Sequence, residues 1–428
     1  MLINDGEKLK QHYNRNLHIE IFIIILFFLA DSRFFYLVPL PSLFSGPASN
    51  KILVSVFAVI CTLILIILNR KIYFGKYSGY IAVLYIFLIY QGFFERSEYQ
   101  YTATTIIYSL IPYLILLMYF GISTYLLNGE YAFNLLCIIS EWITIILSVV
   151  LLLQLYIYNR THIMFLNFVL GDWYTKYHIT ANGRFYSVSE GFVRVIILVS
   201  FFDILRTKNH TYRRKLSASA MIFGILNIIF VDQSRVYLIQ IIIAILIMYF
   251  IYNNKLDTKN FIVTILILLV AIIILSFKLS SVMDTLTNST DGSSYARIGA
   301  IAYYLSILDR YLFTGLGIVI PDEGTLQYSF IKGANGIYNN DDIGVFGVLA
   351  SMGIIIVIWY FLIIIKNFRL SFKIHDQSKR ALALGLAIMM LLGLMTMSYL
   401  DKERIMSLTL TLTLIDYCNR TGNLMEEK

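Results

Sequence analysis

The sequence predicts an all-α integral membrane protein with about twelve (eleven or twelve) transmembrane helices. Three observations carry that prediction. Of 428 residues, 58% are hydrophobic and only 14% are charged, and the mean hydropathy is +0.74. No soluble core of this length is so apolar, so lipid is the solvent for most of the chain. The apolar runs last about 17 to 24 residues, the length a bilayer demands, and lack the alternating ten-residue pattern of a membrane barrel. Helices then remain as the structure that satisfies the backbone in hydrocarbon. Finally, Lys and Arg crowd into alternate short connections, which is a topology signal.

Taken in order, residues 1–18 are polar and contain no cleavage-site pattern, so the first apolar run reads as a retained span. Spans are expected near 19–38, 52–68, 78–94, 103–127, 132–156, 187–205, 216–231, 236–252, 261–277, 343–365, 381–399 and 404–417. The last is short, which leaves the count at eleven or twelve; with twelve, both termini share a side. Lys8, Lys10 and Arg15, then Arg70, Lys71 and Lys76, then Arg206, Lys208, Arg213, Arg214 and Lys215 mark that side as cytoplasmic. Lys255 and Lys259, and the group Lys366, Arg369, Lys373, Lys379 and Arg380, fall on the same side. The net charge of +8 is thereby a matter of topology, and no nucleic-acid partner is expected. Cys61, Cys137 and Cys418 offer neither a disulfide framework nor a metal spacing, so no metal and no cofactor is expected. The chain reads as one polytopic domain, 1–428, without internal repeats.

Two long segments interrupt the opposite, outer side: a third loop, 159–186, and a fifth, 278–342. Long connections in compact proteins are usually functional or disordered, and these carry structure-forming patterns. The third contains "IMFLNFVLGDWY", suited to lying at the interface. The fifth contains "ARIGAIAYYLSILDRYL", where Ile298, Ile301, Leu305, Leu308 and Leu312 recur at helical spacing. That pattern predicts a short amphipathic helix resting on the outer membrane surface.

Polar residues inside apolar runs need a reason. Arg194 falls within the sixth span, roughly 10 Å deep at 1.5 Å per residue. An arginine there costs about 2.5–3.5 kcal/mol on insertion scales and normally faces a partner or a cavity. Two readings stay open: an internal ion pair with Glu190, one turn earlier, or an anion site near the outer leaflet. Glu141, mid-span, reads as a structural hydrogen-bonding group. Arg235 sits in the turn between the seventh and eighth spans, where it is either a snorkelling anchor or a partner for Asp232. Arg160 opens the third loop, Arg184 closes it, and Arg297 and Arg310 flank the amphipathic stretch. Singly each is an ordinary charge; together they bring the residue best suited to phosphate to one membrane face. Interfacial aromatics and amides there, Tyr338 and Asn340 among them, suit contact with sugars, although aromatics are expected at any interface. Asp341 and Asp342 abut the tenth span in "NNDDIGVFG", where they either cap the helix or carry chemistry at its mouth.

"DQSRVYLIQ", "SSYARIGAIAYYLSILDRYLFTGLGIVIP" and "NNDDIGVFGVLASMGIIIV", in that order, resemble the signatures of the bacterial O-antigen polymerase and ligase superfamily. The resemblance covers roughly residues 180–365: a Ser-Arg at a span start, an Arg opening an outer helix, a Gly-x-Gly, then a polar residue before "xGxxGxxxxxG". The third loop adds an Arg-x10-Gly spacing, Arg160 to Gly171. The resemblance implies a metal-independent, C-type glycosyltransferase-like fold in the bacterial inner membrane. Its substrates would be repeat units linked to undecaprenyl diphosphate, and its partners would be membrane lipid and a chain-length regulator protein. It assigns Arg160, Arg184, Arg194, Arg235, Arg297 and Arg310 to the diphosphate. Asp341 or Asp342 becomes the catalytic base, with Tyr338 and Asn340 on the sugar. The ligase branch places a histidine before the last motif, and none of the six histidines here lies in the fifth loop, which argues for polymerase over ligase. A transporter or flippase of lipid-linked sugars is the other class. It would put ionisable residues and broken helices near the midplane of repeated halves.

Overall fold

The computed structural model describes residues 3–39, 41, 47–166, 190–207, 211–232, 234–253, 292–319, 326–333, 338, 340, 343–395 and 398–423. The expected span 261–277, together with Arg184, Asp341 and Asp342, lies outside them. Among the described residues there is helix and no strand. The helices are α1 (Ile3–Asp31), α2 (Pro47–Asn69), α3 (Ser78–Tyr99), α4 (Ala103–Asn128, α-helical with 3-10 stretches), and α5 (Glu130–Thr161). They continue as α6 (Glu190–Arg206), α7 (Tyr212–Asn227, extended by the π turn Ile228–Asp232), α8 (Arg235–Asn253) and α9 (Gly292–Tyr311). The last four are α10 (Leu326–Lys332), α11 (Val345–Phe372), α12 (Gln377–Gly393) and α13 (Ile405–Gly422). Among the described residues, seven helices (α2 to α5, α7, α8 and α11) are long and apolar enough to cross a membrane by length and composition. The chain is an all-α, multi-pass membrane protein.

The helices outside that set include the innermost. All residues from Gly191 to Ser200 on α6, from Ala381 to Met390 on α12 and from Arg404 to Asn419 along α13 are buried. By contrast, only 33% of the most apolar stretch of α2 and of α3 is buried within the protein. A helix wrapped by other helices meets protein on every face, so it can carry Ser407, Thr409, Thr411, Thr413 and Asp416, as α13 does. Close approach is built in: a side chain at Gly191 of α6 would collide with the Ser407 hydroxyl of α13.

At one end of the bundle, ion pairs lock α5, α6, α7 and α12, and a tyrosine hydrogen bond ties α13 to them. Arg206 lies 2.6 Å from Glu130 and 2.7 Å from Asp203, and Arg213 lies 2.9 Å from Glu141 and also pairs with Asp203. Lys379 (3.3 Å) and the donating Tyr417 hydroxyl (2.9 Å) complete the shell of Glu130. Glu141 thus has its structural partner in a cation from the start of α7. Asp376 caps α12 through the Ser378 and Lys379 N–H groups. Burial opposes its ionisation, but the Ser378 and Lys379 bonds outweigh that and hold its carboxyl below the usual range. Fully buried Asp203 serves two arginines, so Asp203→Ala leaves both undercompensated. It is expected to cost about 3–5 kcal/mol, read as a lower Tm in detergent.

The other end carries a cap. Helices α9 and α10 build a small core from Ala300, Tyr304, Tyr311, Leu316 and Ile331 against Ile343 and Ala350, with Phe94 of α3 packed on it. The Tyr303 hydroxyl donates to the Phe330 carbonyl (3.0 Å), and the Tyr304 hydroxyl donates to that of Ile331. The apolar stripe read from the α9 sequence splits. Leu308 is buried, whereas Ile298 is 67% exposed, Leu305 48% and Leu312 42%, because Ala300, Tyr304 and Tyr311 supply the inward face. The helix therefore has two apolar sides, one covered by the cap and one left outward.

Candidate functional site

Helix α11 is broken at Gly353, whose φ is 75°. A break inside an apolar helix frees carbonyls that hydrocarbon cannot satisfy. Here the segment after α9 supplies the donors: Leu316 N–H to Ala350 O (2.7 Å) and Gly317 N–H to Ser351 O (3.0 Å). In return, Ile354 N–H donates to Leu312 O (2.8 Å). Gly315 (φ 65°) and Gly353 both adopt left-handed backbone, and a Cβ on either would strike the other strand of the joint. Two glycine motifs that are separate in sequence thus form one joint.

From this joint a polar network runs into the bundle. Ile318 and Val319 donate their N–H groups to the buried Glu95 carboxylate of α3. Ile318 O accepts from Lys402 Nζ at 2.6 Å. Lys402 belongs to the turn between α12 and α13, as do Asp401 and Arg404, which pair with each other. Arg404 Nε donates to the Tyr237 hydroxyl at 2.8 Å. The Arg194 guanidinium lies over the ring of that tyrosine, 3.7 Å from its centre, and 6.0 Å from the ring of Tyr399. Tyr399 N–H donates in turn to the Tyr360 hydroxyl (3.2 Å). The connected set holds three cations, Arg194, Lys402 and Arg404, and two carboxylates, Glu95 and Asp401. Arg194 and Arg404 are 1% and 4% exposed, so each acts at low dielectric, where a charge-assisted bond to an anion is strongest.

The residues singled out from sequence fall in different places. Arg194 is at the centre of the network; Glu190, its expected partner, has no described side chain. Arg235 is the first residue of α8, two positions before Tyr237, and its side chain is likewise not described. Arg297 is half-buried on α9. Arg310 is exposed, 3.5 Å from Glu98, which also accepts from the Tyr311 hydroxyl at 2.9 Å. Burial and that carboxylate push the Tyr311 phenol above its ordinary value, so it stays a donor. Arg160 lies in the last turn of α5, exposed, with its guanidinium 4.7 Å from the Tyr156 ring. Tyr338 stacks on Tyr303 at 5.0 Å, and the Asn340 carbonyl abuts Gly347. The next described residue after Asn340, Ile343, is buried in the cap core. Glu95, Tyr237, Asp401, Lys402 and Arg404 escaped the sequence reading. The signal was present in "LDKER", four consecutive charges between two apolar runs, and in "ERSE", which begins at Glu95.

Compared with known proteins, the chain matches no protein-family model and no curated protein sequence.

Proposed function

We propose that the chain is a metal-independent glycosyltransferase that polymerises lipid-linked oligosaccharides. In this reading it joins repeat units carried on undecaprenyl diphosphate into O-antigen or a related surface polysaccharide, at the periplasmic face of a bacterial inner membrane. The observation that supports this best is the pair of buried arginines, Arg194 and Arg404, around Tyr237 at the capped end of the bundle. A transferring glycan leaves a diphosphate on which negative charge develops, and two preorganised guanidiniums stabilise that charge. The acceptor hydroxyl forms the new bond to the anomeric carbon while the bond to the diphosphate breaks. Its proton goes to a carboxylate, Asp341 or Asp342, at the mouth of α11. The same reading assigns Tyr338 and Asn340 to the sugar, and Arg160, Arg184, Arg235, Arg297 and Arg310 to attracting the diphosphate head group. Membrane lipid and a chain-length regulator protein complete the partners.

Deleting the encoding gene and running the surface glycan on a gel tests the reading. A core bearing a single repeat unit supports polymerisation. Complete loss of repeats with lipid-linked polymer accumulating means ligation instead. Asp341→Asn and Asp342→Asn, made separately, keep a helix cap and remove a base, so one of the two is expected to arrest chain extension. Wild-type chain lengths in both would exclude these carboxylates as the base.

The break at Gly353 favours a second reading, a transporter of the same lipid-linked sugars, since broken helices commonly line transport sites. Lipid-linked units trapped on the cytoplasmic face of the deletion strain would establish it.

A further inference from the structure

A second cationic cluster lies where α1 ends and α2 begins. Asp31, the last residue of α1, and Lys51, in the first turns of α2, form an ion pair at 3.0 Å, with their side chains 2% and 1% exposed. Two residues beyond Asp31, Arg33 is 4% exposed, and its Nε and one terminal nitrogen are buried without a hydrogen-bond partner. The Tyr36 ring, 5.6 Å from the guanidinium, offers only a face. One residue before Lys51, Asn50 is fully buried with both amide atoms unbonded. This surplus of donors sits at the N-terminal end of the 23-residue α2, where the helix field favours an anion. The set holds two cations against one carboxylate. Leaving a guanidinium buried and unbonded is costly, and such groups are retained where something binds them. Arg33 is also held in an uncommon backbone: it and the next three residues all have φ between 49° and 59°.

We propose that Arg33, Asn50 and Lys51 form a second lipid-phosphate site, separate from the Arg194–Arg404 centre. The ligand class is a phosphate or diphosphate head group on a lipid chain, because the donors sit among apolar helices. The helices that lead to the two sites touch: the Phe28 ring of α1 packs 5.0 Å from that of Phe192, two residues before Arg194 on α6. If the polymerase reading holds, on which this last step rests, the second site takes the diphosphate of the other lipid-linked substrate, since polymerisation joins two of them.

The test uses the purified full chain in phosphatidylcholine nanodiscs, doped in turn with undecaprenyl diphosphate and with phosphatidylglycerol, and counts bound lipid by native mass spectrometry. Arg33→Gln is expected to weaken binding of one lipid equivalent about tenfold, and Arg33→Lys to retain most of it. Asn50→Leu guards against a merely structural effect. Removing an unbonded buried amide should leave Tm unchanged or higher, while lipid binding still falls. Loss confined to phosphatidylglycerol supports the site and assigns it to membrane phospholipid; loss of undecaprenyl diphosphate assigns it to substrate. Unchanged binding of both lipids by Arg33→Gln and by Asn50→Leu overturns it. The readout is binding alone. A wild-type protein that holds lipid at this site yet extends no chain in vitro would defeat the polymerase reading and leave the site standing.

Discussion

Arg404→Ala and Arg194→Ala are each expected to lower chain extension by about 100- to 1000-fold, the usual loss on removing one donor that stabilises a developing oxyanion. The measurement is repeat-unit incorporation by membranes supplied with lipid-linked donor and acceptor. Both guanidiniums are held before any substrate arrives, one by Asp401 and the Tyr237 hydroxyl, the other over the Tyr237 ring. Lysine at position 404 keeps the charge but loses the planar fork, so Arg404→Lys is expected to rescue little. Tyr237→Phe separates positioning from charge. It keeps the ring under Arg194 and removes one bond to Arg404, for which a loss of about tenfold is expected. Loss of Arg404 also leaves Asp401 with a missing partner, so Arg404→Ala must be paired with Asp401→Asn. If the double variant inserts normally but stays inactive, the defect is chemical. Wild-type activity in both alanine variants would remove the diphosphate role from this centre.

Gly353→Val is expected to abolish accumulation of folded protein. A β-branched residue cannot adopt φ of 75° without strain, and its Cβ would enter the space of the Phe313 carbonyl. The joint would open, and the carbonyls of Ala350 and Ser351 would lose their donors in a water-poor region. The combined cost is about 2–9 kcal/mol, one strained residue plus one or two unmade buried bonds. Gly79→Ala is the matched control. No atom lies within 4 Å of the Cβ it adds to α3, so it should leave Tm unchanged or slightly higher. Membrane yield and thermal unfolding in detergent check both; a Gly353→Val protein with wild-type Tm would show that the joint is not needed for folding.

Much of the helical layout was legible because hydrocarbon imposes a local demand. A run of the right length must be helical, so helix occupies eleven of the twelve expected segments, the remaining one, 261–277, lying outside the described residues. Arg194 was legible for the same reason: an arginine inside an apolar helix is costly wherever that helix packs, and the structure buries it. The α9 helix was legible as a helix, but only in part by face. Ile298 and Leu305 were read as the side that meets the membrane surface and are indeed left outward. Nothing local showed that Tyr304 and Tyr311 would build a second, inner side through hydroxyls that reach Ile331 O and Glu98. Local periodicity records that a side is apolar, not which neighbour covers it.

The sequence by itself determined the class of the molecule, the placement of most helices and the presence of Arg194 inside an apolar helix, since each depends on residues within one turn or one span. Only the tertiary structure decided which charges stand together. Ile318 meets Glu95 across 223 positions, Arg404 meets Tyr237 across 167, and Lys402 meets Ile318 across 84. Burial makes an unpartnered polar group costly, but packing chooses which partner is within reach, and no local pattern encodes that choice.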